Sequence, residues 1–513
     1  MDTNPAAAAP TDIRDAVIAG GTLTAWIAAA RLASACRGTV RVTVLETPHR
    51  PASRVTALGP TVQSDLFDRL GIPENEWTHA SSASFCAAVK YVNWGGREQH
   101  FYIPQDGTPP DCEGFPLSDF WLLRRRTGRT VEPSDYACFR EPPLMDARKS
   151  PRWLDGRAAI PYGWHADTIM LTHFLRRKTM ETCGVRMVTG ELLGARTDGS
   201  GMLTALRTTR GDLTADFFLD CTGHESRLLA GILGEPFLSA ADRLLPDSML
   251  SLTVPQGSGS HGVEPYTTAT ALAHGWTWRR PLRGRCGAGL VYASTLTTPD
   301  EAARSLRRTL GLPRDSAELT HTPLRAGRTR RAWVKNCVAL GAAAWFTDPL
   351  ADDHGATLDL LDRLIRDLPS LGTRDVPAPR FNRAAAAHYR DALGLAQLRY
   401  AASPRTDGPF WTQQRTMPLS DTLHATVEAH RAGLSVTPEE APLRALLTAL
   451  TPHTACPPPA LSHHPHALLR AEDHFTRIKR QQRILLETLP PAHTYLDRLH
   501  GRIPQGDESF AAI

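Results

Sequence analysis

The sequence predicts an α/β protein, an N-terminal nucleotide-binding module followed by a mostly helical C-terminal part. Three observations carry this. A β-α-β pattern with a glycine turn opens the chain, strands and helices alternate to about residue 370, and helical patterns alone follow. The 513 residues suffice for a large core and two or three domains. The predicted division is a disordered lead-in over 1–14, an α/β module with inserted strands over 15–370, and a helical part over 371–513.

Asp15–Ala19 (DAVIA) reads as a short buried strand and Gly20–Thr24 as a turn. Ala25–Ala35 has the alanine content of a helix, and Val40–Glu46 is a second strand ending in an acid. Phe85–Trp94, Leu213–Cys221 and Asn336–Gly341 read as further strands. Phe381–Leu395, Leu419–Ala432, Pro438–Leu450 and Pro465–Leu489 read as helices, and Thr437-Pro438-Glu439-Glu440 as a capping box with proline at the first helical position. Thr451–His466 is a Pro/His-rich loop.

Composition excludes several classes. No apolar run approaches the ~18–20 residues that span a bilayer, so no membrane partner is expected. The N-terminus lacks a cation before an apolar core, unlike a signal peptide. Nine scattered cysteines, without a C-x-x-C pair, argue against a disulfide framework and for a reducing cytoplasm. A net charge of +5, without a basic stripe interleaved with aromatics, gives no reason to expect nucleic acid. His463, His464 and His466, with Cys456 nearby, lack metal-ligand spacing and read as a solvated loop, so no metal is expected. Neither G-x-S-x-G nor H-E-x-x-H is present.

The glycine turn is the first functional signal. In G-x-G-x-x-G/A the first glycine allows the tight turn, the second lets the backbone approach a pyrophosphate, and the third position lets helix and strand pack closely. Here the register is Gly20-Gly21-Thr22-Leu23-Thr24-Ala25. The first position is intact and Ala25 is acceptable at the last, but Thr22 puts a β-branched side chain where the phosphate should sit. Glu46 stands where an acid takes ribose hydroxyls. Asp220-Cys221-Thr222-Gly223 follows a strand, as in a flavoprotein's later cofactor contact. Val338–Pro349 ends a strand with Gly341 at a turn into a helix.

Gly275-Trp276-Thr277-Trp278-Arg279-Arg280-Pro281 resembles the W-x-W-x-I-P signature of flavin-dependent halogenases. Further segments resemble the tryptophan halogenases in the same order: Leu70–Trp77, Ala87–Trp94, Pro116–Arg126, Gly163–Asp167, Val263–Ala269, Gly327–Val338 and Gly408–Trp411. The resemblance covers nearly the whole chain. It implies a flavin-monooxygenase-like Rossmann-type FAD module with a mostly helical C-terminal substrate part. It also implies FAD as cofactor, a separate flavin reductase as partner, a small aromatic substrate, and hypochlorous acid delivered to an indole by a lysine with a glutamate.

Measured against that family, the sequence departs at five places. Cys86 aligns with the catalytic lysine. The glutamate segment P-L-E-S-T-G reads Pro349-Leu350-Ala351-Asp352-Asp353-His354-Gly355, with Asp352 as a substitute carboxylate of shorter reach. The G-E-A-T-I-P loop over the flavin reads Val55-Thr56-Ala57-Leu58-Gly59-Pro60. Arg280 replaces the isoleucine of W-x-W-x-I-P. The aromatic lid has no match between Gly433 and Pro465, and Ile103 and Gln105 stand where the family presents a histidine and a phenylalanine to the indole. Lys90, roughly 13 Å from Cys86 along a strand at ~3.3 Å per residue, has its own family counterpart and does not replace the lysine.

Pure packing remains an alternative for Trp276 and Trp278, two apart in one strand and on one face, and an inert buried thiol for Cys86. Three functional expectations follow. The first is an enzyme repurposed to act on an indole-derived metabolite of natural-product biosynthesis without halogenating it, its FAD weakened or lost. The second is a non-catalytic paralogue that binds a neighbouring biosynthetic enzyme or a metabolite. The third is a working halogenase with atypical residues. Homodimerisation is left open.

Overall fold

The structure, a computed structural model, describes residues 13–47, 51, 53–256, 262–313, 318–351, 353–368, 377–434, 440–451 and 455–501. Nearly all of the lead-in, Asp352, and Thr437, Pro438 and Glu439 of the capping box lie outside the described residues. Among the described residues no helix is long and apolar enough to cross a membrane, and no group of three or more His, Cys, Asp or Glu could hold a metal ion.

A six-stranded sheet orders Arg186–Thr189, Arg41–Glu46, Asp15–Ala19, Phe217–Asp220, Cys337–Ala339 and Trp333–Val334. The first five run parallel and the last pairs antiparallel. Because crossovers cover both faces of such a sheet, its strands must be apolar along their length. Accordingly Ala16–Ala19 and Phe217–Asp220 are buried throughout. Leu23–Ala35 is the first crossover helix. Its buried Ala25, Ala28, Ala29 and Ala30 let it lie close to the sheet, between Thr168–Cys183 and Asp353–Asp367.

A seven-stranded sheet orders Thr320–Pro323, Ser248–Pro255, Arg285–Tyr292, Gly275–Leu282, Tyr266–Leu272, Ala88–Val92 and His100–Pro104. Packed against the seven-stranded sheet are three antiparallel strands, Val55–Leu58, Gly163–Asp167 and Ser84–Cys86. Two expected strands are therefore each two. Phe85–Trp94 changes sheet at Ala87, whose N–H bonds Pro265 and whose carbonyl accepts from Gln105. Leu213–Cys221 breaks after Thr214. Continuous apolar patterning concealed both breaks, since buried strands of different sheets look alike. Cys86 and Lys90 thus belong to different sheets, and a distance measured along one strand does not apply.

Past residue 376 the described elements are helical: Pro377–Ala401, Pro409–Thr416, Asp421–Ala432, Ala441–Leu450, Pro465–Thr488 and Ala492–His500, with a short turn at Pro459–His463 in the Pro/His-rich loop. They share cores with the α/β part. Phe381 meets Trp333 edge-on, and Tyr400, Phe410 and Trp411 pack with Trp94 and Trp276.

One buried ion pair joins two of these packing layers. Arg444 of Ala441–Leu450 donates through Nε to Asp119 of Leu117–Arg126, and neither side chain is exposed. Burial pushes the Asp119 carboxyl up to about 6, against the pull of Arg444. Removing one partner of such a pair leaves an uncompensated buried charge. We expect Arg444→Met to lower stability by about 3–5 kcal/mol at pH 7.5. An acid whose folded pKa is raised costs stability as pH rises from its unfolded value of 3.8 through that folded value. The variant's deficit should therefore shrink on acidification toward pH 5, as measured by urea unfolding across pH.

Candidate functional site

The Gly20–Ala25 turn lies at the carboxyl edge of the parallel sheet. Gly20 adopts φ +129°, and a Cβ there would lie 2.3 Å from the Cys221 carbonyl oxygen; a Cβ on Gly21 would lie 2.7 Å from the Thr47 carbonyl oxygen. Both positions demand glycine. The turn opens onto a cleft of about 900 Å³. At one end the lining includes Gly21, Thr22, Glu46, Thr222 and Gly223; at the other it includes Trp278, Arg280, Asp348, Pro349 and His354.

Thr22 does not act as its sequence position suggests. Its hydroxyl lies within the turn, accepting from Ala25 N at 3.1 Å as the helix N-cap and donating to the Cys221 carbonyl at 3.2 Å. It thus takes up one of the N–H groups that a helix N-terminus otherwise offers an anion, while the residue remains part of the lining. Glu46 faces the cleft and is held by Arg176 at 3.3 Å. At Gly223, φ +69°, a Cβ would meet nothing within 4 Å, so that position is open.

Four expected contacts act from behind the surface. Asp220 is fully buried. Its Oδ1 accepts from Thr222 N and Oγ1, its Oδ2 from Leu228 and Leu229 N, so it clamps the loop and does not line the cleft. Ala25 is buried against the sheet, and Gly341, φ +58°, leaves room for Thr24, 2.9 Å from where its Cβ would be. Trp276 is a core residue whose Nε1 donates to Tyr400 Oη at 2.8 Å. Trp278 does line the cleft, beneath Arg280.

Cys86 is buried, with Sγ 3.7 Å from Thr267 Oγ1, which lies 2.8 Å from His165 Nε2. Burial, then the positive charge of Arg280, pushes His165 down to about 3, so the imidazole is neutral near pH 7. Gln105 joins Cys86 here: Cys86 pairs with Gly163, and the Gln105 amide nitrogen lies 2.9 Å from where a Gly163 Cβ would be. Ile103 instead packs on the core around Tyr91, Trp94 and Phe101. Lys90 is drawn elsewhere, its Nζ 5.1 Å from the Tyr102 ring centroid and 3.9 Å from Asp146.

Sequence reasoning missed three pairings. Asp348 and Arg399 form a buried ion pair, His354 Nε2 lies 3.0 Å from Thr56 Oγ1, and Arg280 donates to the Val55 and Pro349 carbonyls. Each joins segments too distant in sequence for spacing to reveal. The exchange of an aliphatic residue for Arg280 inside a strand was the only signal, since a buried cation requires acceptors.

A glycine turn against the first parallel strand, an acid closing the second and a cleft along their carboxyl ends define a protein of Rossmann-type fold. A family model described as Tryptophan halogenase matches residues 15–446. The chain belongs to that family. It is 36% identical to the tryptophan 7-halogenase RebH of Lentzea aerocolonigenes, covering 95% of this chain and 98% of that one. It is 37% identical to the tryptophan 6-halogenase ThaL of Streptomyces albogriseolus, covering 95% and 99%. The solved tryptophan 6-halogenase SttH from Streptomyces toxytricini matches with a TM-score of 0.87 at 29% identity, covering 95% of this chain and all of that one.

The burial pattern makes a chemical forecast. Cys36, Cys183 and Cys456 are partly exposed, whereas Cys86 is buried and its strand is hydrogen-bonded. Brief alkylation of the native protein should label only those three, with Cys86 modified after denaturation. Peptide mapping that finds native Cys86 labelled at their rate would contradict the packing described.

Proposed function

We propose that the chain is a repurposed member of this family, acting on a small indole-derived metabolite of natural-product biosynthesis without halogenating it. The observation that carries this is the environment of Cys86. Where the resemblance puts a lysine ammonium, there is a buried thiol backed by Thr267 and a neutral His165. An ammonium can hydrogen-bond hypochlorous acid, whereas a thiol is oxidised by it to sulfenic acid and beyond. Lys90 is engaged with Asp146 and Tyr102. The protein belongs in this reading to a reducing cytoplasm.

The nucleotide end of the cleft suits FAD. Gly20 and Gly21 allow close approach, Glu46 offers a carboxylate to ribose hydroxyls, and Gly223 leaves space. When bound and reduced by the family's partner flavin reductase, FAD would supply electrons to oxygen. The chain's own residues position and shield: Trp278 and Arg280 wall the cleft from the Cys86 side, and the Arg399–Asp348 pair anchors the opposite loop. A second reading, the non-catalytic paralogue, is favoured by Arg280, which spans the far end of the cleft.

Weak flavin binding follows from Thr22. The protein should purify with little or no flavin, judged by visible absorbance. Thr22→Gly returns the Ala25 N–H to a phosphate. A hydrogen bond to a charged group is worth about 1.5–3 kcal/mol, so FAD should tighten by roughly tenfold or more, at a cost of only a few tenths of a kcal/mol in helix capping. Near-stoichiometric FAD in the unmutated protein would overturn this.

The reaction itself gives the sharper test. With a reductase, FAD, chloride and tryptophan, no chlorotryptophan should form, and Cys86→Lys alone should not restore it. Positioning errors of about 1 Å cost on the order of a hundredfold in rate, and residues acting as a unit do not contribute additively. Mass spectrometry for the chlorine isotope pair provides the readout. Regioselective product from the unmutated chain would establish the third possibility, a halogenase with atypical residues.

A further inference from the structure

Three departures from the family's motifs lie far apart in the chain and touch in the fold. They are Thr56 in the Val55–Pro60 loop, Arg280 in the Gly275–Pro281 segment, and His354 beyond Pro349. The Arg280 side chain stacks on Trp278, with the guanidinium carbon 5.1 Å from the ring centroid. One Nη donates to the Val55 carbonyl at 3.3 Å and the other to the Pro349 carbonyl. Beside it His354 Nε2 lies 3.0 Å from Thr56 Oγ1. The wall formed by Val55, Thr56 and Ala57 is thus tied twice to the wall formed by Asp348, Pro349 and His354. Isoleucine, the residue that Arg280 replaces, could make neither carbonyl contact.

The position of the ties matters. A dinucleotide anchored by its pyrophosphate at the Gly20–Ala25 turn places its adenosine toward Glu46, at the end of the neighbouring strand. Its second half must run along the cleft toward Trp278 and Arg280. There it meets a buried side chain whose charge-assisted bonds must be broken or replaced for the walls to part.

We propose that Arg280 and His354 form a latch that determines which part of a dinucleotide the cleft accepts. The adenosine diphosphate portion is admitted at the glycine turn, and the flavin ring is excluded from the far end until the latch opens. This rests on reading the cleft as a dinucleotide site. In the unmutated chain the ring adds nothing to affinity, so ADP and FAD bind within about threefold of each other. Arg280→Ile removes the cross-wall bonds while keeping an apolar contact with Trp278.

The test is calorimetric titration of the full chain with ADP and, separately, FAD. Arg280→Ile should tighten FAD at least tenfold and leave ADP unchanged within about twofold; ADP binding also reports that the variant has folded. His354→Ala, which removes the second tie alone, should shift FAD in the same direction by less. FAD binding tenfold tighter than ADP in the unmutated chain would overturn the latch. So would equal shifts of both ligands in Arg280→Ile. If neither ligand binds the unmutated chain, the cleft reading fails and the latch with it. If ADP binds and Arg280→Ile leaves the FAD-to-ADP ratio unchanged, the cleft reading stands and only the latch falls.

Discussion

The close approach of the Gly20–Gly21 backbone to the carbonyls of Cys221 and Thr47 is the constraint on which the cleft depends. At 2.3 and 2.7 Å from those oxygens there is no space for a Cβ. The approach brings the N-terminus of Leu23–Ala35 over the edge of the sheet and sets Glu46 beside it. Asp220 holds the loop that supplies Cys221, its carboxylate accepting from the backbone N–H groups of Thr222, Leu228 and Leu229. Thr22 then ties the two segments directly through its hydroxyl. The turn thereby keeps its shape, with the Thr22 hydroxyl both capping the helix and reaching the Cys221 carbonyl.

Much of the α/β part was legible because its signals are local. The apolar runs at Asp15 and Phe217, the glycine turn and the acid at Glu46 need no distant information, and the parallel sheet follows from them. The breaks at Ala87 and after Thr214 were not legible. They depend on which sheet receives each half, and Ala87 changes sheet through backbone bonds to Pro265 and Gln105 that no local pattern encodes. The cofactor-side residues divide in the same way. Glycine positions were readable from steric need. Asp220 and Gly341 were expected as cofactor contacts; whether such residues face the cleft or support it depends on a rotation that sequence does not show, and both lie behind its lining. Trp276 and Trp278 share a face, yet Tyr400 takes the first into the core and Arg280 holds the second at the cleft wall.

The residues at which the sequence departs from the motifs it resembles also gain their meaning from the fold. Listed along the chain, an arginine for an isoleucine, a threonine in one loop and a histidine in another look like independent losses. In three dimensions Arg280 reaches both loops, and Thr56 meets His354 across the same gap. A buried guanidinium is costly unless its donors are satisfied, so Arg280 is tolerable only where carbonyls such as those of Val55 and Pro349 stand within reach. In the fold these residues reach the same two loops and, at Thr56 and His354, each other.

The contacts of this wall extend toward Cys86. Thr267 and Arg280 lie on neighbouring strands of one sheet, and both act on His165, Thr267 through a hydrogen bond and Arg280 through its charge. Thr267 bonds His165 and lies against Cys86, and the charge on Arg280 helps to keep His165 neutral. A single row of side chains therefore runs from the cleft wall to the position at which the resemblance puts a lysine. A second cation at that position would face the field of the first, in surroundings too dry to screen it. Given the field of Arg280, an uncharged side chain is easier to place there than an ammonium. The cleft wall and the position at which the resemblance puts a lysine are thus joined through Thr267 and His165.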